Sequence, residues 1–454
     1  MTAKTLQAFL PAFATPLWTR LQGSSVNERL ARGAFWSIAG AVASRAIGLC
    51  ASILVARLLG KERFGELGIV QGTIEMFGTF AGFSMGFTAT KHVAELREHE
   101  PARAVRIIGF SSLTAWFTGV LATLALLALS PWLATYALAA PHLTGLLRVS
   151  AVGLLLGAVN GAQTGALSGF EAFRSIAIVN LISGVLGFVF RVAGVVWFGL
   201  AGAVVGFVVS QACACFLSNR LLHREAERMH MTLSYVGCLQ EAAMLLRFSI
   251  PAVLGGFVAL PVNWLCSAML VNQPGGYAQM GIFNAANQWF SALLFLPGLL
   301  GQVILPILSH RLKAADYSES RKVLSLALKV NSLVLLPLAV LALASKPLMR
   351  FYGHEFAAGW TTLVVVLGSA GFLSVQMPVG HLLAASGRMW TILVMNLGWA
   401  IAFILGTWLL IGRGALGMAS SRLIAYALHA AWSFAYAYFA LRAHSREALS
   451  NRPS

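Results

Sequence analysis

Hydrophobic runs of about 20 residues or more follow one another along almost the whole of this 454-residue chain, each long enough to cross a roughly 30 Å hydrocarbon core as a helix. In lipid every backbone polar group must find its partner within the chain, so such a succession of runs leaves helices as the available structure. Charged residues make up 10% of the sequence, against about 25% in soluble domains. The expected fold class is therefore an all-α polytopic membrane protein.

Twelve spans are expected, at about 34–58, 66–90, 107–129, 146–169, 174–198, 201–221, 246–271, 278–308, 324–348, 357–385, 389–411 and 414–441. Alternate loops are rich in Lys and Arg: Lys91, Arg97, Arg103 and Arg106, then Arg220, Arg224 and Arg228, then Arg311, Lys313, Arg321 and Lys322. The positive-inside rule puts these loops, and with them both termini, in the cytoplasm. Arg57, Lys61 and Arg63 are an exception, falling on what this topology makes the outer side. The stretch LQAFLPAFATPLW, interrupted by Pro11 and Pro16, reads as an interfacial segment ahead of the first span rather than a signal peptide. The division expected is a cytoplasmic segment 1–33, an N-lobe 34–221, a cytoplasmic linker 222–245, a C-lobe 246–441 and a cytoplasmic tail 442–454.

The two halves repeat. LCASILVA at 49–56 aligns with LCSAMLVN at 265–272, and FGELGIVQGTIEMF at 64–77 with YAQMGIFNAANQWF at 277–290. Further on, RSIAIVN at 174–180 matches RMWTILVMN at 388–396, and GLAGA at 199–203 matches GALGM at 414–418. An even number of crossings returns the chain to its starting side, so the halves share one orientation and a pseudo-two-fold axis along the membrane normal relates them. Secondary transporters are built from such parallel repeats, with a site between the halves near the midplane.

Intramembrane charge marks the candidate site residues. Arg45 lies about eleven residues into its span, roughly 16 Å deep at 1.5 Å per residue. A charge at that depth costs roughly 2.5–3.5 kcal/mol even on mild insertion scales, so it is expected to face a partner or a wet cavity. Arg191 and Arg422 lie nearer the outer ends of their spans, and Lys329 lies near a cytoplasmic end, where snorkelling competes with function. Glu75 is the one carboxylate deep in a span, at the depth of Arg45; it reads either as an ion-pair partner of Arg45 or as a proton- or sodium-coupling group. Its repeat equivalent is Gln288.

Asn160, Gln163, Asn180, Asn263, Asn287 and Gln288 are polar groups available to a polar ligand or to helix–helix hydrogen bonds. His381 and His429 have no companion at metal-ligand spacing. Pro251, Pro261, Pro297, Pro306, Pro337 and Pro378 all fall inside spans of the second half. The reading is a straighter N-lobe and a C-lobe whose helices kink for gating at Pro251, Pro261 and Pro297.

The five cysteines lie mostly inside spans, without disulfide or metal spacing, and no cofactor is expected. No catalytic triad or carboxylate pair is visible, and the lone aspartate, Asp316, sits in a cytoplasmic loop. A membrane-embedded enzyme such as a polymerase or ligase would be expected to carry a large outer loop with reactive side chains, which this chain lacks. The +17 net charge orients the chain and attracts anionic lipids, and implies no nucleic-acid partner.

ARLLGKERFGELGI at 56–69, LSGFEAFRSIAIVN at 167–180, PGGYAQMGIFNAANQW at 274–289, LPILSHRLKAA at 305–315 and FYGHEF at 351–356 resemble segments of polysaccharide biosynthesis proteins of the oligosaccharide flippase (Wzx-like) type. These belong to the multidrug/oligosaccharidyl-lipid/polysaccharide exporter superfamily. The resemblance implies a two-lobed, twelve-helix protein that moves undecaprenyl-diphosphate-linked oligosaccharide across the bacterial inner membrane, for O-antigen, capsule or exopolysaccharide synthesis. Polysaccharide polymerase and assembly proteins would be its partners. A diphosphate crossing hydrocarbon requires fixed cations, and guanidinium forks suit phosphate oxygens; Arg45, Arg191, Arg422 and Lys329 are the candidates. A multidrug exporter of the same superfamily is the nearest alternative, but a cavity for cationic drugs would favour buried carboxylates.

Overall fold

The computed structural model describes residues 25–82, 85–243, 258–313 and 317–450. Pro251 and Asp316 lie outside them. Every element among the described residues is helical, and seven segments are long and apolar enough to cross a bilayer by length and composition. Several of these contain more than one crossing. The helix α1, Ser25–Gly78, bends at Gly60, where φ is +74°. Residues 41–55 and residues 64–75 line one cavity, so the chain doubles back at that glycine.

The N-terminal half continues with α2 (Met85–Leu96), α3 (Pro101–Trp132), α4 (Thr144–Gly169) and α5 (Phe173–Arg228). Within α5 the chain reverses at Gly199, and the arms approach so closely that a Cβ on Gly194 would lie 2.2 Å from the Gly202 oxygen. Residues 222–228 extend this helix beyond its expected end at 221. The C-terminal half contains α6 (Ala259–Val271), α7 (Gly276–Lys313), α8 (Tyr317–Ser332), α9 (Leu335–Leu343) and α10 (Ser345–Tyr352). It ends with α11 (Trp360–Ala385), α12 (Met389–Leu410) and α13 (Gly414–Ser450).

The repeat is visible in the backbone. Gly199 adopts φ +57°, ψ −134°, and Gly414, which opens the matching GALGM segment, adopts φ +61°, ψ −137°. A Cβ is disfavoured in this region, which is why both reversals carry glycine.

Two expectations about helix continuity are corrected. The second span, expected unbroken over 66–90, is interrupted between Gly78 and Met85, with Gly82 at φ +81°. The N-lobe is therefore interrupted as well, at a stretch that carries Gly78 and Gly82 and no proline. In the C-lobe, α7 runs through Pro297 and α11 through Pro378 without a break. Pro261 sits in the first turn of α6, where a missing N–H removes no helical hydrogen bond. The ninth span is divided near Pro337 into α8 and α9.

The lobes meet chiefly through α1 and α7, at the end of the molecule that carries Gly60. Cβ atoms placed on Gly65 and Gly281 would each lie 1.9 Å from a backbone oxygen of the other helix, those of Tyr277 and Lys61. The Tyr277 hydroxyl donates to the Leu138 oxygen at 2.7 Å, and the Asn272 amide to the Ala137 oxygen at 2.7 Å. Arg57 donates to the Phe351 oxygen in α10, so one cation that breaks the loop-charge pattern ties the lobes together.

Candidate functional site

Behind this seam lies a cavity of about 480 Å³ between the lobes. The arm of α1 before Gly60 contributes Ser44, Arg45 and Ser52, and the returning arm contributes Phe64, Gln71 and Glu75. The α5 hairpin adds Asn180 and Arg191, and α7 adds Asn287, Gln288, Ser291 and Phe295. Glu75 and Gln288, equivalent in the sequence repeat, face each other's lobe across this space, as a pseudo-two-fold axis through the cavity requires.

Arg45 reaches from the N-lobe to the opposite wall. Its Nη2 donates to the Ser291 oxygen at a long 3.4 Å, and the guanidinium lies 5.6 Å from the Phe295 ring centroid. Arg191 lies 5.2 Å over Phe207, and its Nε is buried with no hydrogen-bond partner. No ion pair joins Arg45 or Arg191 to Glu75 among the described residues. The two guanidiniums thus retain donors for an outside acceptor, and aromatic faces hold them without neutralising their charge. Gln71, Asn180 and Gln288 make no side-chain hydrogen bond within the described structure.

Other sequence candidates lie elsewhere. Arg422 is not a wall of this cavity: it is 2% exposed, sealed in the C-lobe between Phe290 at 4.3 Å and Phe283 at 4.9 Å. It acts on the cavity through Asn287, donating from Nη1 to the Asn287 Oδ1 at 2.8 Å. Lys329 is exposed, away from the cavity. Asn263 donates to the Ala259 oxygen one turn back on its own helix. Asn160 accepts from Ser218 at 2.7 Å, and Gln163 faces a crevice lined by Trp116, Phe216 and Tyr235. The Arg45–Glu75 ion pair expected as one reading of Glu75 is absent, because Arg45 turns instead toward α7. His429 is an interior histidine whose Nδ1 lies 3.0 Å from the Gln376 Oε1 and whose Nε2 is buried without a hydrogen-bond partner. Among the described residues no cluster of His, Cys, Asp and Glu is placed to hold a metal.

One group on the cavity was not singled out by sequence. Gln71 is a polar residue one turn before Glu75, and its repeat equivalent, Asn284, seals the seam against the Phe64 oxygen at 3.5 Å. Glu66 pairs with His142 at 2.7 Å at the Gly60 end.

The family model described as polysaccharide biosynthesis protein matches residues 30–312. The chain belongs to that family. It is similar to the EPS I polysaccharide export inner membrane protein EpsE of Ralstonia solanacearum, 25% identical over 389 residues covering 85% of this chain and 88% of that one. It is also 23% identical over 356 residues to the succinoglycan biosynthesis transport protein ExoT of Rhizobium meliloti, covering 77% of this chain and 68% of that one. Among solved structures, an inward-facing multidrug resistance MATE transporter of the MOP superfamily superposes with a TM-score of 0.75 at 14% identity, covering 89% of this chain and 96% of the other. The lipid II flippase MurJ in an inward closed conformation superposes with 0.67 at 13% identity, covering 92% and 94%. The chain therefore has the two-lobed, all-α fold seen in these structures, and its family and export relatives point to a transporter rather than an enzyme.

Proposed function

We propose that this protein is a flippase that moves an undecaprenyl-diphosphate-linked oligosaccharide across the bacterial inner membrane for exopolysaccharide or related surface polysaccharide synthesis. The names of EpsE and ExoT support an exported polysaccharide as the product, and that of MurJ supports a lipid-linked substrate. The observation that carries the reading is the pair of guanidiniums, Arg45 and Arg191, on one cavity with neither charge neutralised by a carboxylate. In a site of low effective dielectric such groups bind a diphosphate far more strongly than they would in water. Charge-assisted hydrogen bonds of this kind are shorter and stronger than neutral ones, and the planar fork of Arg matches phosphate oxygens where Lys offers a point charge.

The transport cycle follows from the seam. With the Gly60 end closed, the diphosphate enters from the end with basic loops, which the positive-inside rule makes cytoplasmic. The guanidiniums replace its lost hydration while the polyprenyl tail stays in lipid. Parting of α1 from α7 then opens the other side. Glu75 is the coupling group: as the sole carboxylate on the cavity it takes up a proton or sodium ion, and its charge state sets the field that the two arginines present. Anionic lipids surround the basic loops, and polymerase and assembly proteins receive the product.

The test is reconstitution in vesicles with the lipid-diphosphate oligosaccharide. Loss of a charge-assisted contact worth about 1.5–3 kcal/mol makes Arg45→Ala at least about tenfold slower at matched protein, with Arg45→Lys intermediate. Glu75→Gln flips the lipid without responding to an imposed ion gradient. Wild-type rates in Arg45→Ala would sink the diphosphate assignment, and an unchanged gradient response in Glu75→Gln would sink the coupling one.

A further inference from the structure

The break in the second span opens a second chamber. Its volume is about 720 Å³, within the roughly 300–1,000 Å³ typical of ligand sites. It is an open recess on the N-lobe, walled by the broken segment around Gly82, by α4 and by both arms of α5. Irregular backbone at membrane depth is tolerated only where it is buried in protein or lines a cavity, and discontinuous helices often build the substrate sites of transporters.

The wall formed by α4 carries glycine at every fourth position, Gly153, Gly157, Gly161 and Gly165. They do different things. Gly165 is needed for packing, since its Cβ would lie 2.2 Å from the Gly86 oxygen. Gly161 would meet nothing within 4 Å, and the nearest atom to a Cβ on Gly157 is the Gln211 Nε2 at 3.6 Å. Glycine in a helix interior costs about 0.5–1 kcal/mol relative to alanine, and at these two positions close helix packing does not explain it. What their missing side chains supply is room.

The chemistry of the chamber differs from that of the cavity between the lobes. No residue on its walls is basic, whereas Asn160, Asn180 and Gln211 bring carboxamides to it. Asn180 and Gln211 have no hydrogen-bond partner within the described structure, and Asn160 has only its oxygen occupied, by Ser218. Carboxamides offer donors and acceptors together, which is what sugar hydroxyls require. Glu75 and Asn180 belong to the walls of both spaces, so a ligand whose phosphates lie against Arg45 and Arg191 has its next groups at the mouth of the chamber.

We propose that this glycine-walled N-lobe chamber is a glycan subsite, taking the sugars that follow the first one attached to the diphosphate. The inference rests on the flippase reading and adds to it where the sugar chain goes.

The experiment uses the full-length protein in vesicles with two probes, undecaprenyl diphosphate bearing one N-acetylhexosamine and the same lipid bearing a neutral tetrasaccharide. Gly161→Leu fills the chamber without touching a packed surface. It is expected to slow the tetrasaccharide lipid at least about tenfold and to leave the single-sugar lipid within about twofold, with Gly145→Leu on the same helix as the control. Gln211→Leu, which keeps the volume, raises the KM for the tetrasaccharide lipid. It serves as the second variant if Gly161→Leu does not yield a monodisperse protein with an unaltered Tm. Equal rates for both lipids in both variants overturn the subsite, as does an equal loss of both. Arg45→Ala separates the two levels of argument: it slows both lipids if the diphosphate reading holds. Wild-type rates there, with length-selective loss in Gly161→Leu, would leave the glycan subsite standing and remove the phosphate assignment.

Discussion

At the scale of single residues, depth in a span located the charges and packing decided what they do. Arg45, Glu75, Asn180, Asn287 and Gln288 all reach the cavity, as their positions near mid-span suggest. Arg422, also within a span, has the opposite environment, because which face of a helix meets the cavity depends on tertiary packing that periodicity among uniformly apolar residues does not encode. It remains a cation 2% exposed with Nε and Nη2 unpartnered, an arrangement that costs stability unless compensated. Its one hydrogen bond fixes the Asn287 carboxamide with its oxygen turned away, leaving the amide N–H groups for the cavity. Replacing a buried ion by an apolar side chain of similar volume is often neutral or stabilising, by up to about 1–4 kcal/mol. Arg422→Met is therefore expected to hold or raise the Tm of the purified protein, while weakening transport several-fold as Asn287 loses its orientation. A lower Tm with unchanged transport would show that the guanidinium serves packing alone.

At the scale of elements, hydropathy located almost every helix, because a span must be apolar wherever it meets lipid. It did not reveal the interruption between Gly78 and Met85, since GTFAGFSMG is as apolar as the helices around it. The signal was spacing: glycines at 78, 82 and 86 recur at the same interval of four as the glycines of α4, and Gly86 packs against Gly161 and Gly165. Glycines in α1 and α7 act differently, closing the Gly60 end. Gly68 and Gly281, equivalent in the repeat, both face the opposite lobe, where a Cβ on Gly68 would overlap the Asn284 amide. Proline had drawn attention to the C-lobe, yet α7 passes Pro297 unbroken, because neighbouring helices and membrane tolerate the lost donor. A side chain on Gly65 must displace backbone rather than a flexible group, since its Cβ would fall 1.9 Å from the Tyr277 oxygen. Overpacking costs about 1–3 kcal/mol, so Gly65→Val shifts the equilibrium away from the closed seam by about tenfold or more. The expected result is a folded protein with slowed transport and faster amide hydrogen exchange across residues 272–281, where the hydroxyl of Tyr277 no longer holds the Leu138 oxygen. Unchanged protection there would contradict the seam as a closing surface.

At the scale of the whole molecule, the pseudo-two-fold was readable because it repeats local needs: Gly199 and Gly414 turn the chain with nearly the same φ and ψ. The asymmetry built on it is where function resides. Both guanidiniums and the carboxylate on the cavity belong to the N-terminal half, and the C-terminal half presents amides there. A symmetric scaffold lets the halves rock about one axis, while a one-sided charge distribution keeps the ligand with one lobe as the other moves. That combination makes the access of the cavity, rather than its composition, the quantity that changes during transport. Gln71 reports on it, since it lines the cavity inward of the sealed seam and makes no hydrogen bond that substitution would break. In a protein freed of its five cysteines, Gln71→Cys in sealed vesicles of known orientation is expected to react with an impermeant thiol reagent supplied on the side of the basic loops. Reagent supplied on the Gly60 side is expected to leave it unmodified. Adding Gly65→Val raises labelling from the Gly60 side, because the seam no longer closes over the cavity. Equal labelling from both sides without Gly65→Val would mean that the seam does not seal. Labelling from the Gly60 side alone would reverse the proposed direction of access and with it the orientation inferred from the basic loops.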